Sequence, residues 1–242
     1  DQGLRLAACY GAKIAFSSSF APIIRKWADY WRGYCICVWH CRLCRMFRTD
    51  LPPITFMVEK RRKMVKVLGI HSSPIKRGNT AWLLDYALLQ AQQTGDVAIE
   101  YIQLAGLKIA DCRHCNWCMS KQTPDKLCAI EDDANTILEK VRDTDVLILA
   151  SPVYFSRLSG TMACFIDRTR CFTFGRNGHL ALKGKVGVAL AVGWCRHLGM
   201  ETTLASLHGA FLVHEMLTPP CHAAGALYGV GVVSGQRDEN FS

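Results

Sequence analysis

Four cysteines fall within residues 111–128, DCRHCNWCMSKQTPDKLC, at the spacing C-x2-C-x2-C-x9-C. The two short gaps let Cys112, Cys115 and Cys118 turn their thiolates toward one compact centre, and Cys128 can arrive from a little further along. Each iron of a cubane cluster needs one sulfur ligand, so the spacing suits an iron–sulfur site. Four thiolates also satisfy tetrahedral zinc, although zinc sites more often use two pairs than a triplet with an outlier. A disulfide pair and simple free thiols complete the alternatives. His114 and Trp117 lie inside the motif. His114 could ligate or tune the site by hydrogen bonding, or simply face solvent.

Two further stretches have the chemistry of a ligand cradle. GIHSSPIKRGNTAWLL, residues 69–84, reads as a strand end, a loop and a helix start. A helix N-terminus offers free N–H groups and a positive dipole end to a phosphate. Ser72, Ser73, Asn79 and Thr80 add donors, and Gly78 permits close backbone approach. Neither the Walker order nor the Gly-x-Gly-x2-Gly turn is present. A monophosphate such as that of FMN fits better; the plain alternative is a turn capped by Asn79 or Ser73. SPVYFSRLSGTMACFIDRTR, residues 151–170, follows a later strand, and there Pro152, Val153, Tyr154 and Phe155 offer an apolar, aromatic rim for a flat ring system. The plain alternative is that Tyr154 and Phe155 pack beneath their own loop.

The elements that must position these residues alternate. Strands are expected at 65–71, 97–104, 145–151, 184–192 and 226–234, and helices at 79–95, 132–143, 160–172 and 200–216. In the first helix Trp82, Leu83, Tyr86, Leu89 and Gln90 cluster on one side. Such alternation means βαβ units and a parallel sheet covered on both faces. Ligands bind such sheets at the carboxyl ends of the strands. A helix normally follows the last strand, and the sequence runs only to Ser242, so either a truncated terminus or a partly bare sheet face is expected.

Composition bounds the rest. Half of the 242 residues are hydrophobic, enough for a substantial core, and no apolar run is long enough for a membrane span. The formal charge of +9 is concentrated in residues 1–63, which hold twelve Lys and Arg against four Asp and Glu. The remainder holds seventeen against sixteen, so nucleic acid is not an expected partner of the domain from residue 64 onward. The 1–63 segment reads as an extension outside the working domain, possible sequence upstream of a start at Met57 or Met64. An arm for a membrane surface or nucleic acid, or an amphipathic targeting segment, are the competing readings. Its Cys35, Cys37, Cys41 and Cys44 match no common metal spacing. Residues 1–30 lack the pattern of a secretory signal, so a reducing, cytoplasmic setting is expected. Cys164, Cys171, Cys195 and Cys221 read as small buried hydrophobes.

Taken together, SSPIKRGNT, CRHCNWC…C…DD and SPVYFSRLSGTMACFIDR resemble the iron–sulfur flavoproteins, a branch of the flavodoxin-like NAD(P)H-dependent FMN reductases. The resemblance runs from about Met64 to Ser234. It implies an α/β, flavodoxin-like, five-stranded sheet of order 2-1-3-4-5, with FMN at the strand ends. It matches Ser72, Ser73, Arg77, Asn79 and Thr80 to the phosphate loop, and Pro152, Val153, Tyr154 and Phe155 to the flavin ring. VGWCRHLGMETT, residues 192–203, takes the position of a third flavin-side loop. It also implies a [4Fe–4S] cluster on Cys112, Cys115, Cys118 and Cys128, although the arc before the last cysteine is shorter in the family than the nine residues here.

Flavin exchanges electrons in pairs or singly, and a cluster exchanges them singly. The resemblance thus implies an electron-transfer flavoprotein that converts between the two, with NAD(P)H or a ferredoxin-like protein as donor and a homodimeric or homotetrameric assembly. Two other functions stay open on the residues: an NAD(P)H-dependent FMN or quinone reductase with structural zinc or free thiols, and a redox-sensing binding module.

Overall fold

The computed structural model describes residues 64–220 and 228–234. The expectations for residues 1–63, for Cys221 and for a helix after the last strand lie outside them.

Short runs rich in Val, Ile and Leu form the sheet, as expected of strands buried on both faces. They are β1 (Val65–His71), β2 (Val97–Gln103), β3 (Val146–Tyr154), β5 (Val186–Gly193) and β6 (Val230–Val233). Their order is β2-β1-β3-β5-β6, and every neighbouring pair is parallel. This is the 2-1-3-4-5 order of a flavodoxin-like sheet, with one addition. A two-residue strand, β4 (Arg157–Leu158), folds back antiparallel on the end of β3.

The connections supply the helices: α1 (Asn79–Gln92), α2 (Trp117–Ser120), α3 (Ala134–Asp143), α4 (Gly160–Arg168), α5 (Arg170–Thr173) and α6 (Met200–Val213). The helix expected at 160–172 is thus two, α4 and α5, hinged at Thr169. α1 packs Leu83, Leu84 and Leu88 with Val67, Ile148, Leu190 and Val192 on one face of the sheet. On the other face Leu68, Ile70, Leu147 and Leu149 meet Leu138, Phe165, Leu207 and Phe211 from α3, α4 and α6.

Of the side grouped in the sequence, α1 buries only Leu83 fully. Ala81, Leu84 and Leu88 recur at helical spacing and are buried, whereas Trp82, Tyr86 and Leu89 are exposed. The rings of Trp82 and Tyr86 stack on each other outside, with centroids 5.7 Å apart. The smaller aliphatic set packs against the strands. Among the described residues no helix is long and apolar enough to cross a membrane.

Candidate functional site

Because the strands are parallel, the loops after β1, β3 and β5 share the carboxyl edge of the sheet. Hydroxyl groups tie the first two together. Ser159 Oγ bonds Ser72 Oγ at 2.7 Å, Ser72 Oγ reaches Ser151 Oγ at 3.5 Å, and Ser151 Oγ accepts the Ser159 N–H at 3.0 Å. Ser73 Oγ accepts the Ile75 N–H. Ser72, Ser73 and Thr80 are buried, while Arg77 and Asn79 are exposed. Neither Asn79 nor Ser73 caps α1; Gly78 holds the N-cap position with an extended backbone and no side-chain cap. Without a side-chain cap, the positive end of α1 faces the loop.

Beneath this loop His71 is fully buried at the end of β1. Its Nδ1 accepts the Ser73 N–H at 3.3 Å, so Nε2 carries the proton and donates to the Tyr101 hydroxyl at 2.6 Å. Burial lowers its pKa from 6.5 to about 4.

After β3 the chain reverses through Phe155 and Ser156, both left-handed at φ 47° and 61°. Two-residue hairpin loops of this hand normally use Asn or Gly. Here Phe155 pays no burial for it: the ring is 100% exposed, and Tyr154 is 44% exposed. The reading in which both rings pack under their loop does not hold. Pro152 is buried and Val153 half-buried. The third loop, 194–199, exposes Trp194 and Leu198 and closes on this turn, where Thr202 Oγ1 donates to the Ser156 carbonyl at 2.6 Å. Gly199, at φ 96°, lies so close that a Cβ would stand 2.1 Å from Ser156 Cα.

The cysteines gather elsewhere. Cys112, Cys115, Cys118 and Cys128 line one cavity together with Arg168, Arg170 and Cys171. α2 begins at Trp117 after His114 and Asn116, both left-handed, which wraps the first three cysteines into a tight turn. His114 is exposed, as a loop histidine would be. Among the described residues no three Cys, His, Asp or Glu side chains converge as ligands of a single ion. The four cysteines line the cavity instead.

Little regular structure holds this lobe, and buried polar groups take its place. Gln122 is 2% exposed; its Nε2 donates to the Leu127 and Cys171 carbonyls, and its Oε1 accepts from the Asn177 and Gly178 N–H groups. Arg168 is buried at the end of α4 and donates to the carbonyls of Ala110 and Ile130, on either side of the motif, and to Asp132 Oδ2 at 2.6 Å. Burial alone would weaken the Arg168 proton, but Asp132 and Cys128 more than reverse this and raise its pKa. Burial likewise opposes the Asp132 charge, and Arg168 with the Ala110 N–H overcomes it, so its pKa is lowered. For Cys118 burial raises the thiol pKa; Arg170 opposes this, and Cys128 and Cys112 add to it.

Two side-chain atoms in the cavity wall, Arg168 Nε and Arg170 Nε, are buried without a hydrogen-bond partner. A donor set of thiols and unpaired guanidinium N–H groups fits an anionic, sulfur-ligated group. Arg168 and Arg170 were not singled out from the sequence, and Cys171 was read only as a small buried hydrophobe. Cys171 is buried as expected, but in the wall of the cysteine cavity, while Cys164 and Cys195 are only half-buried.

The profile of a family described as NADPH-dependent FMN reductase matches residues 65–227. An iron–sulfur flavoprotein of Methanocaldococcus jannaschii is 38% identical over 176 residues, covering 71% of this chain and 86% of that protein. An iron–sulfur flavoprotein of Methanosarcina thermophila is 33% identical, over 63% of this chain and 76% of that protein. Among solved structures, RosB with a bound 8-demethyl-8-formylriboflavin-5'-phosphate intermediate superposes with a TM-score of 0.56, at 17% identity, over 72% of this chain and 68% of that one. That likeness concerns the fold. The sequence matches go further: the chain belongs to the NADPH-dependent FMN reductase family, as an iron–sulfur flavoprotein.

Proposed function

We propose that this FMN-dependent oxidoreductase binds its flavin at the carboxyl edge of the sheet and a [4Fe–4S] cluster in the cysteine cavity. The two would couple two-electron flavin chemistry to one-electron transfer, with NAD(P)H or a ferredoxin-like protein as donor. The observation that carries this reading is the gathering of Cys112, Cys115, Cys118 and Cys128 around one cavity. A cavity lined by four thiols suits a cluster whose irons each take one sulfur ligand. When bound, FMN takes up electrons in pairs or singly and the cluster passes them singly.

The chain's own residues bind and orient. The open N-terminus of α1, with Ser72, Ser73, Gly78, Asn79 and Thr80, receives the phosphate, and Arg77 adds charge from the exposed side. Pro152, Val153, Tyr154 and Phe155 line the ring, with the strained turn holding Phe155 outward. Strain of this kind, at two non-glycine residues, concentrates at functional positions. Gln122 and the Arg168–Asp132 pair fix the lobe around the thiols. No side chain is required as a nucleophile.

The reading extends to a homodimer or homotetramer, which light scattering would measure, and to residues 64–242 as the working domain. Anaerobic purification with a count of flavin, iron and sulfide tests the whole. FMN with four irons and four sulfides per chain is expected. FMN with zinc, or with no metal, would establish the plain reductase in its place.

A further inference from the structure

Resting on the cluster reading above, we propose that Arg168 and Arg170 donate their Nε–H groups to the cysteine-bound cluster and set its reduction potential. Both guanidinium groups line the cavity that the four motif cysteines share. In each, at least one outer nitrogen is committed to the protein. Arg168 is held by Asp132 and the Ala110 and Ile130 carbonyls. Arg170 Nη2 is held by Asn116 Oδ1 at 3.0 Å, and its guanidinium carbon lies 4.6 Å from the centre of the Phe174 ring. The Nε of each is buried and without a partner.

A buried N–H left without an acceptor is costly, and native proteins rarely leave two in one cavity. The acceptors that the cavity offers are the thiolates and the sulfides they would hold. The arginines also differ in origin from the cysteines: they come from α4 and α5, some forty residues beyond Cys128, the last cysteine of the motif. Their convergence is a property of the fold. Each one-electron reduction adds one negative charge to the cluster, and the electron comes from the flavin or the external donor. Hydrogen bonds to the sulfurs and nearby positive charge favour the reduced form and raise the potential.

The test uses the full chain, purified anaerobically with its cluster. Pulsed EPR of the reduced cluster is recorded with natural-abundance and with 15N-labelled arginine. A change in the nitrogen modulation is expected, and identical spectra overturn the proposal. A redox titration of Arg170→Gln followed by EPR should show reduction at least tenfold less favourable, a shift of about 59 mV to lower potential. Arg170→Lys keeps the charge and moves the donor, so it should shift less. A full complement of iron with an unmoved midpoint in Arg170→Gln overturns the proposal. Wild-type protein without iron fails the cluster reading instead, a distinguishable result. If Arg170→Gln assembles no cluster, the labelling experiment decides.

Discussion

The carboxyl edge of the sheet and the cysteine lobe solve the same problem, holding a large group, by opposite means. At the edge, regular elements do the work. Parallel strands bring three loops together by topology, and the hydroxyls of Ser72, Ser151 and Ser159 only fasten neighbours already in place. In the lobe, between β2 and α3, the only helix is the four-residue α2. Gln122, Asp132 and Arg168 there take the role that a strand ladder plays elsewhere, satisfying the loop's own carbonyls and N–H groups. Tight backbone packing is common to both, at Gly199 on the edge and at Gly175 in the lobe. A Cβ on Gly175 would meet the Cys171 carbonyl at 1.9 Å and the Gln122 side chain at 2.5 Å. The lesson is that an edge site should tolerate loss of one side chain, whereas the lobe should not.

The strongest way to break this contrast is to separate the two sites. Ser in place of Cys112, Cys115 or Cys118 should abolish bound iron and sulfide while leaving the FMN content of the protein unchanged. Simultaneous loss of flavin in these variants would show that the regions do not stand independently. Asp132→Ala comes next. It leaves the Arg168 charge buried without its carboxylate and should cost about 3–5 kcal/mol in urea unfolding.

Each region also carries one buried histidine. His71 sits beneath the edge. Behind the lobe, His214 bonds Thr169 Oγ1 at 2.8 Å and Thr173 Oγ1 at 3.0 Å. Burial lowers both from 6.5 to about 4. Between those values the unfolded chain binds more protons than the folded one. Stability is therefore full above pH 6.5 and is lost as the pH falls toward 4, by up to about 3 kcal/mol for each histidine. Thermal melts across this range for His71→Gln and His214→Gln should each flatten half of the acid limb. Smallest is Ser159→Ala, which removes the N-cap of α4 and the bond to Ser72. About 1 kcal/mol is expected, with weaker FMN binding by titration.

Much of the edge was legible because its signals are local. β1 was expected over residues 65–71 and spans Val65–His71, since an apolar, β-branched run needs no distant partner to declare itself. Ser72 and Thr80 announced a loop before a helix, although their burial did not show. β4 was not legible: it has two residues, and its turn carries Phe155 and Ser156 where a hairpin signal would have Asn or Gly. The buried face of α1 was not legible, because Trp82 and Tyr86 dominate its pattern and the buried Ala81 does not stand out. In the lobe the cysteine spacing was plain, but its supports were not. Arg168 and Arg170 lie in the later part of the helix expected at 160–172, where basic side chains are common and mark no site. Only the fold brings them beside cysteines from a remote part of the chain.

α4 touches both regions. At one end Ser159 fastens it to the loop after β1; at the other Arg168 grips the flanks of the cysteine loop. Its nine residues make a rod of about 13 Å, which acts as a ruler between the two holding places. Adding a single residue within it would lengthen the rod by about 1.5 Å and turn its far end by roughly 100°, so that one anchor or the other must let go.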